Sequence, residues 1–444
     1  MQPMMDFQRF TQCRFSNGML MLPFFHRMIV ELNKGLGDVY NDDFFQKQSR
    51  SRYKYIIHLL KKFRMMRLHK CDLLIISSTL HNIESKGRKY NNLIEGYEEI
   101  YGNKVMVIED SDSDGLWRER ADYSHVSYIN TYLLCLTRFL SALLNKVKVR
   151  ENDDYRAFVD AYPTYFSKPM LSRNDYFVTV YSFLIKRLLD FVNPKVLLLE
   201  DASYGTEHAV ICKIAKDRGL KVVELQHGMT YGCSAYQTLV SVNYDKEYDE
   251  YLPNSIFTFG DYWNHGIQWE YEKYPVGNAY LNHYRNETKS VIPTYDYLIL
   301  SQPFKGVEPF IKAFSEKLKV GKILLRLHPS EDFKKNEQLY RDCDNIILSQ
   351  GTSLYDDIVN SVVIAGWAST CVYEILAFGK EPVIIDSALS REGIPSDIGV
   401  WIKTPEQLLA LNGMTSALSP QETAKYWEDS FETKVKSYFS NILN

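Results

Sequence analysis

What the 444-residue sequence lacks narrows it first. Its seven cysteines are scattered, with no C-x-x-C pair and no metal-ligand spacing, and read as free thiols of a reducing compartment. No apolar run reaches the roughly 18 clean residues that a membrane span needs. The two nearest, "YINTYLLCLTRFLSALL" and "YFVTVYSFLIKRLLDFV", are broken by Arg138 and by Lys186 with Arg187, so both are expected to be long buried helices. Excess charge is missing too: a net charge of -3 gives no general pull on nucleic acid. The opening "MQPMMDFQRF" has no basic stretch leading into an apolar one, so no signal peptide is expected. There is no G-x-x-x-x-G-K-[ST] loop, no G-x-G-x-x-G after a first strand and no G-x-S-x-G. These absences argue against a P-loop, a dinucleotide site and a hydrolase elbow.

What is present is a strand-helix rhythm. "CDLLIISS", "KVMVIED", "PKVLLLED", "KVVELQHG" and "SIFTFG" are short apolar runs that end in polar residues. Helical segments separate them, among them 126–148 and 174–192. A polar stretch, "YLNHYRNETKSVIPTYD" (280–296), reads as a linker. After it, units of about 25 residues repeat the pattern through "YLILSQ", "KILLRLHP", "NIILSQ", "SVVIAG" and "EPVIID". Such alternation means parallel sheets. The expected class is α/β, with two Rossmann-like doubly wound domains facing a central cleft. The N-terminal domain spans 1–285, the C-terminal domain 286–418, and a final helix over 419–444, capped by Ser419 and Pro420, crosses back. From Lys47 to Lys70 there are nine Lys/Arg and no acid. That segment reads either as a packed helix with a solvated basic face or as one lying on an anionic membrane surface.

Ligands in doubly wound folds sit beyond the carboxyl ends of the strands. In the second domain those ends carry Ser301 and Gln302, His328 and Pro329, Thr352 and Ser353, and Ser369 and Thr370. Hydroxyls and amides at helix starts suit an anion. His328, held extended by the proline after it, is placed to donate to the same anion, which a phosphate would satisfy. Glu374, one turn into the helix opened by Ser369 and Thr370, is suited to two ribose hydroxyls. In the first domain, Glu200 and Asp201 end one strand and His227 ends another. Each has a plain structural reading as a cap or a satisfied loop residue. Each is also a candidate catalytic group, Asp201 ahead of Glu200 because it stands further out of the sheet. "EDSDSD" (109–114) contains D-x-D pairs, yet four acids in six residues read as a solvated loop, and no metal or other cofactor is expected.

The set "LRLHP", "SLYDDI" and "AGWASTCVYEILAFGKEPVIID" resembles the nucleotide domain of GT-B glycosyltransferases over about 150 residues. "HP" followed by "ST" is similar to bacterial sialyl-, polysialyl- and Kdo transferases, which use CMP-activated sugars. "ELQHG" and "VGNAYLN" look like capsule and lipopolysaccharide transferases. The resemblance implies that His328, Ser369 and Thr370 contact the CMP phosphate. It also implies an acidic base at a strand end of the first domain, often followed by glycine. Here Glu200 and Asp201 lack that glycine, which leaves the base open. The expected function is a metal-independent transferase, cytoplasmic or held on the inner membrane through residues 47–70. It would move a sugar from a donor of the CMP-Kdo or CMP-sialic-acid type to a surface glycan or lipid-linked acceptor. The rivals are a nucleotide-sugar 2-epimerase, a CDP-alcohol phosphotransferase, and a non-catalytic polysaccharide-binding protein.

Overall fold

The computed structural model describes residues 8–33, 66–85, 88–110, 120, 123–237, 246–288, 291–328, 330–350, 353–411 and 418–443. Pro329 and Thr352, most of the basic segment (47–65) and the end of the acidic run (111–114) lie outside them.

The first half is built on β1 (Leu73–Ser78), β4 (Val105–Asp110), β5 (Val126–Ser127), β6 (Val196–Glu200), β7 (Lys221–Leu225), β8 (Ser255–Thr258) and β9 (Glu272–Pro275). A small antiparallel hairpin, β2 (Asn82–Ser85) with β3 (Arg88–Asn91), leaves the end of β1. Among the described residues the large sheet runs β5-β4-β1-β6-β7-β8-β9, all parallel. Alternate residues feed two cores. Leu74, Ile76, Leu197 and Leu199 face one side of the sheet, and Leu73, Ile75, Val196 and Leu198 face the other. A sheet covered on both faces needs apolar residues at nearly every strand position, which is why these strands read as unbroken apolar runs.

The second half repeats the plan. Its strands are β10 (Tyr295–Leu300), β11 (Ile323–Arg326), β12 (Ile346–Leu348), β13 (Ser361–Gly366), β14 (Val383–Ile385) and β15 (Val400–Ile402), in the order β12-β11-β10-β13-β14-β15. In each sheet the first strand lies inside, with the chain winding first to one side and then to the other. The order therefore reverses between β1 and β6 in one sheet and between β10 and β13 in the other. A crevice opens at each of these points.

Three expectations change. The presumed linker contains a helix, Ala279–Glu287, started by the Asn278 side chain accepting from the Leu281 amide. Leu281 is buried in the second domain's core with Tyr280 and Tyr284 packed against it, and these residues hold a helix where the stretch looked aperiodic. The final helix is two, Pro420–Tyr426 and Phe431–Phe439, broken at Trp427. Trp427 stacks on Phe259 at 4.6 Å and donates its indole N–H to the Tyr373 carbonyl, while Phe431 meets Tyr97 of the first half. The "VGN" of "VGNAYLN" serves this crossing. Gly277 has φ of 84°, and a Cβ there would stand 1.9 Å from the Glu428 carbonyl oxygen, so only glycine fits.

The third change concerns the helix Ile129–Val147, expected to be buried on its apolar side. Its buried residues are Asn130, Thr131, Leu134, Thr137 and Ser141, while Leu136, Phe139, Leu143 and Val147 are exposed. The polar side faces inward because the seam with the helix Lys168–Val192 is hydrogen-bonded. Tyr181 donates to Asn130, Asn130 to Asp110, and Ser172 to Asn145.

Candidate active site

In the first half, β1 stops at Ser78 because the chain turns into a single 3-10 turn, Thr79–His81, capped by the Ser78 hydroxyl. The turn brings His81 back over the end of β6. Its Nε2 lies 2.8 Å from Glu200 Oε1. The other oxygen, Oε2, accepts from the Ser77 hydroxyl and the Ser78 amide, both at 2.8 Å. Glu200 is 5% exposed and fully engaged. Burial alone would push its carboxyl up, but His81, His227 and the Ser77 hydroxyl hold it down at about 2. A group so stabilised as an anion is a weak base, so Glu200 is fitted to orient His81 rather than to take a proton. A carboxylate only accepts, so His81 donates through Nε2–H and its Nδ1 carries the lone pair. For His81 itself, burial pulls the imidazole down. Glu200, with help from Asp201 and Glu374, outweighs that pull, and the net shift is upward.

Asp201 follows in the left-handed region, at φ of 62°. A non-glycine residue held there is the kind of strain found at functional loops. Its Oδ1 is 3.1 Å from Nδ1 of His227, yet neither atom completes a well-aligned hydrogen bond. The His81 and His227 rings are 6.0 Å apart. Glu200, Asp201 and His227 offer ligand atoms all within 4.8 Å of one another, a spacing that suits a cation. A cation would have to displace the hydrogen bonds already on Glu200. Glu109, in the acidic run, is fully buried and bound by Arg120, Tyr128 and Asn82 rather than solvated. Asp110, at the end of β4, is pushed up to about 7 by burial.

In the second half the strand ends do converge on one edge. The Ser330 amide donates to His328 Nδ1 at 3.2 Å. That interaction leaves the ring proton on Nε2, the tautomer that can donate to an anion. Burial lowers the His328 pKa and keeps the ring neutral. Ser369 caps the helix Thr370–Ala377 by accepting from the Cys371 amide, and Ser353 caps Leu354–Val359. Ser301 donates its hydroxyl to the Glu331 carboxylate (3.0 Å), which also accepts from the His328 amide (2.7 Å). Gln302 is half-buried beside it. Glu374 is pushed up to about 7 by burial, against the opposing pull of Arg326, Tyr355 and His81.

Arg326 and His81 are the residues that sequence reasoning passed over. Arg326 ends β11 on the face of Leu324, the face covered by the Thr370–Ala377 helix, and pairs with Asp357 at 2.6 Å. Its signal was a cation two residues before the His-Pro pair. His81 had a fainter one, a histidine just past the first strand of a doubly wound sheet. The two edges meet. A Cβ on Gly228, next to His227, would be 3.7 Å from Thr370 Oγ1, and His81 and Glu374 feel each other's charge across the cleft.

No protein-family model matches this sequence, and no curated protein matches it. In three dimensions it is similar to CalG4, the calicheamicin glycosyltransferase, with a TM-score of 0.50 and 10% identity over 85% of this chain and 100% of that one. It is also similar to the UDP-GlcNAc 2-epimerase of Methanocaldococcus jannaschii (TM-score 0.46, 11% identity, 83% and 99% covered). A third is the MurG of Acinetobacter baumannii (TM-score 0.43, 8% identity, 84% and 99% covered).

The fold is GT-B.

Identities this low carry the architecture alone. In GT-B terms the two crevices described above are the two walls of one interdomain cleft.

Proposed function

We propose that this GT-B chain is a glycosyltransferase that moves a sugar from a nucleotide-activated donor to an acceptor hydroxyl. The observation that carries the reading is the pair of opposed walls. One holds His81 oriented by Glu200 at 2.8 Å, and the other holds the helix opened by Ser369 and Thr370 with His328 nearby. The acceptor hydroxyl attacks the anomeric carbon, and its proton passes to a base on the first wall. His81 Nδ1 suits that role. Asp201 is the carboxylate alternative, and His227 is its neighbour. The sugar–phosphate bond breaks, and the charge on the leaving phosphate is met by the His328 Nε2–H, the hydroxyls and the helix amides. Glu374 is assigned to the ribose.

The donor we favour is a CMP-sugar of the Kdo or sialic-acid type. Glu331 uses up the Ser301 hydroxyl and the His328 amide and sets a carboxyl beside the edge. A carboxylate at that position favours a donor with one phosphate over a donor with two. The proposed acceptor is a surface or lipid-linked glycan. The test is a titration of CMP against the protein with and without His328→Ala. The variant should bind about tenfold more weakly, the worth of one hydrogen bond to a charged group. Equal binding would overturn the donor site.

A second reading, a nucleotide-sugar 2-epimerase, is favoured by one observation. Asp110, near neutral titration, lies within electrostatic reach of His208, Glu207 and Glu200, which puts further acid-base groups at the same edge. A UDP-sugar incubated without acceptor separates the two, because only an epimerase would invert C2 and release no nucleotide.

A further inference from the structure

The helix Ile129–Val147 is amphipathic with its polarity reversed. Leu136, Phe139, Leu143 and Val147 recur at helical spacing and form an outward stripe, with Phe139 66% and Val147 79% exposed. The inward side is mostly polar, Asn130, Thr131, Thr137 and Ser141, with Leu134 the one buried apolar residue among those of the helix. A helix that met only water would be arranged the other way round, since burying the leucines and hydrating the polar residues is the cheaper choice. A contiguous apolar stripe left outside marks a contact surface. Charge says with what. From Ile129 to Arg150 there are four Lys/Arg and no acid. The neighbouring helix Lys168–Val192 exposes Phe183, Lys186, Arg187 and Phe191. Its two acids are committed elsewhere, Asp175 to Arg150 in the interior and Asp190 to Arg218. Arg138 pairs with Glu207 and Arg150 with Asp175, but the exposed cations Lys146, Lys148, Lys186 and Arg187 beside the apolar residues fit the boundary of an anionic lipid leaflet. Two copies of this chain meeting through the same face would set Lys146 and Lys148 against their own kind.

We propose that this face, the outward side of Ile129–Val147 with the cations beside it, docks the protein on an anionic lipid surface. The helix begins at the candidate site, where Asn130 donates to Asp110. At about 1.5 Å per residue, Leu136 lies roughly 9 Å further along the axis. A membrane held by the stripe would bring lipid-borne acceptors to the mouth of the cleft. The docking itself does not depend on the transferase reading.

The test is co-sedimentation of the full chain with phosphatidylcholine vesicles, with and without phosphatidylglycerol. The unaltered chain should sediment with the anionic vesicles. The pair Phe139→Ser with Leu143→Ser should weaken that binding at least about tenfold, and Lys146→Glu with Lys148→Glu about as much. Thermal midpoints and near-ultraviolet circular dichroism should stay unchanged, because all four side chains are exposed. Three results would overturn the proposal. One is a full chain that ignores both vesicles. Another is vesicle binding that survives Phe139→Ser with Leu143→Ser. The third is a dimer, seen by light scattering, that the same pair dissolves, which would give the face to a second copy.

Discussion

Beside β1 and β6 the strand ends carry carboxylates and imidazoles, namely His81, Glu200, Asp201 and His227. Beside β10 and β13 they carry hydroxyls, helix amides, a neutral imidazole and a guanidinium. The two crevices arise from the same strand order, so topology decides where a ligand goes and residue type decides what happens there. The first edge holds negative charge on hydrogen bonds and suits the handling of protons. The second offers donors and suits an anion. On the proposed reading, a cleft with one wall of each kind has a direction built in, with proton removal on one side and charge neutralisation on the other.

The largest effect should come from taking the imidazole out of the first wall. His81→Ala should lower kcat by about 10²–10⁴, while the affinity for nucleotide stays within about twofold. Steady-state kinetics with a nucleotide titration check both halves of that statement. If His81→Ala is nearly silent and Asp201→Asn abolishes transfer, the base is the carboxylate and His81 is structural. A smaller effect of the opposite kind belongs to the second wall. Thr370→Val keeps the shape of the side chain and removes the hydroxyl. Nucleotide should bind about tenfold more weakly, with kcat at saturation little changed. A fall in kcat with unaltered affinity would break the division of labour between the walls.

The pH profile sharpens the same contrast. His81 is raised above its usual value, so the rate should climb with pH and level off only above the ordinary histidine range. Glu200→Gln removes the main charge that holds the proton, and the climb should move to lower pH. The stability terms have opposite signs. His81, raised in the folded state, contributes stability at low pH that is lost as pH rises through its folded pKa. Glu200, held at about 2, contributes stability above its ordinary carboxylate range that is lost as pH falls toward 2. A profile in Glu200→Gln identical to that of the unaltered protein would mean that the pair is not coupled.

Much of this was legible in the sequence, for a physical reason. Strands covered on both faces must be apolar throughout, so β1, β4, β6, β10, β11 and β13 stood out as runs. β9, "EKYP", sits at the sheet edge with little burial and looks like a loop. The β2–β3 hairpin has only one fully apolar side chain, Ile83, and no alternation to read. The second-domain candidates were visible because a strand end followed by a capped helix is a local pattern. His81 was not, because its importance depends on β6 lying next to β1, and those strands are more than a hundred residues apart. The helix Ile129–Val147 showed its period but not its sense. A 3.6-residue repeat places Leu136, Phe139, Leu143 and Val147 on one side without saying which side is the interior, and the hydrogen bonds of Asn130 and Asn145 settle that only in three dimensions.

The smallest effect is expected from a chelator, and it tests the chemistry assigned to the first wall. Glu200, Asp201 and His227 are spaced closely enough to take a cation. Both oxygens of Glu200 are already occupied, one by His81 and the other by the Ser77 hydroxyl and Ser78 amide. A cation would gain a carboxylate ligand and lose those hydrogen bonds, and the freed His81 would no longer be oriented. Hydrogen bonds to a charged group are each worth about 1.5–3 kcal/mol, so the exchange starts at a disadvantage of several kcal/mol before any coordination. Treatment with EDTA should therefore leave the transfer rate within about twofold. A loss of about a hundredfold, restored by a divalent cation, would turn these three residues into ligands. The contrast would then lie between a metal-bearing wall and an anion-binding one.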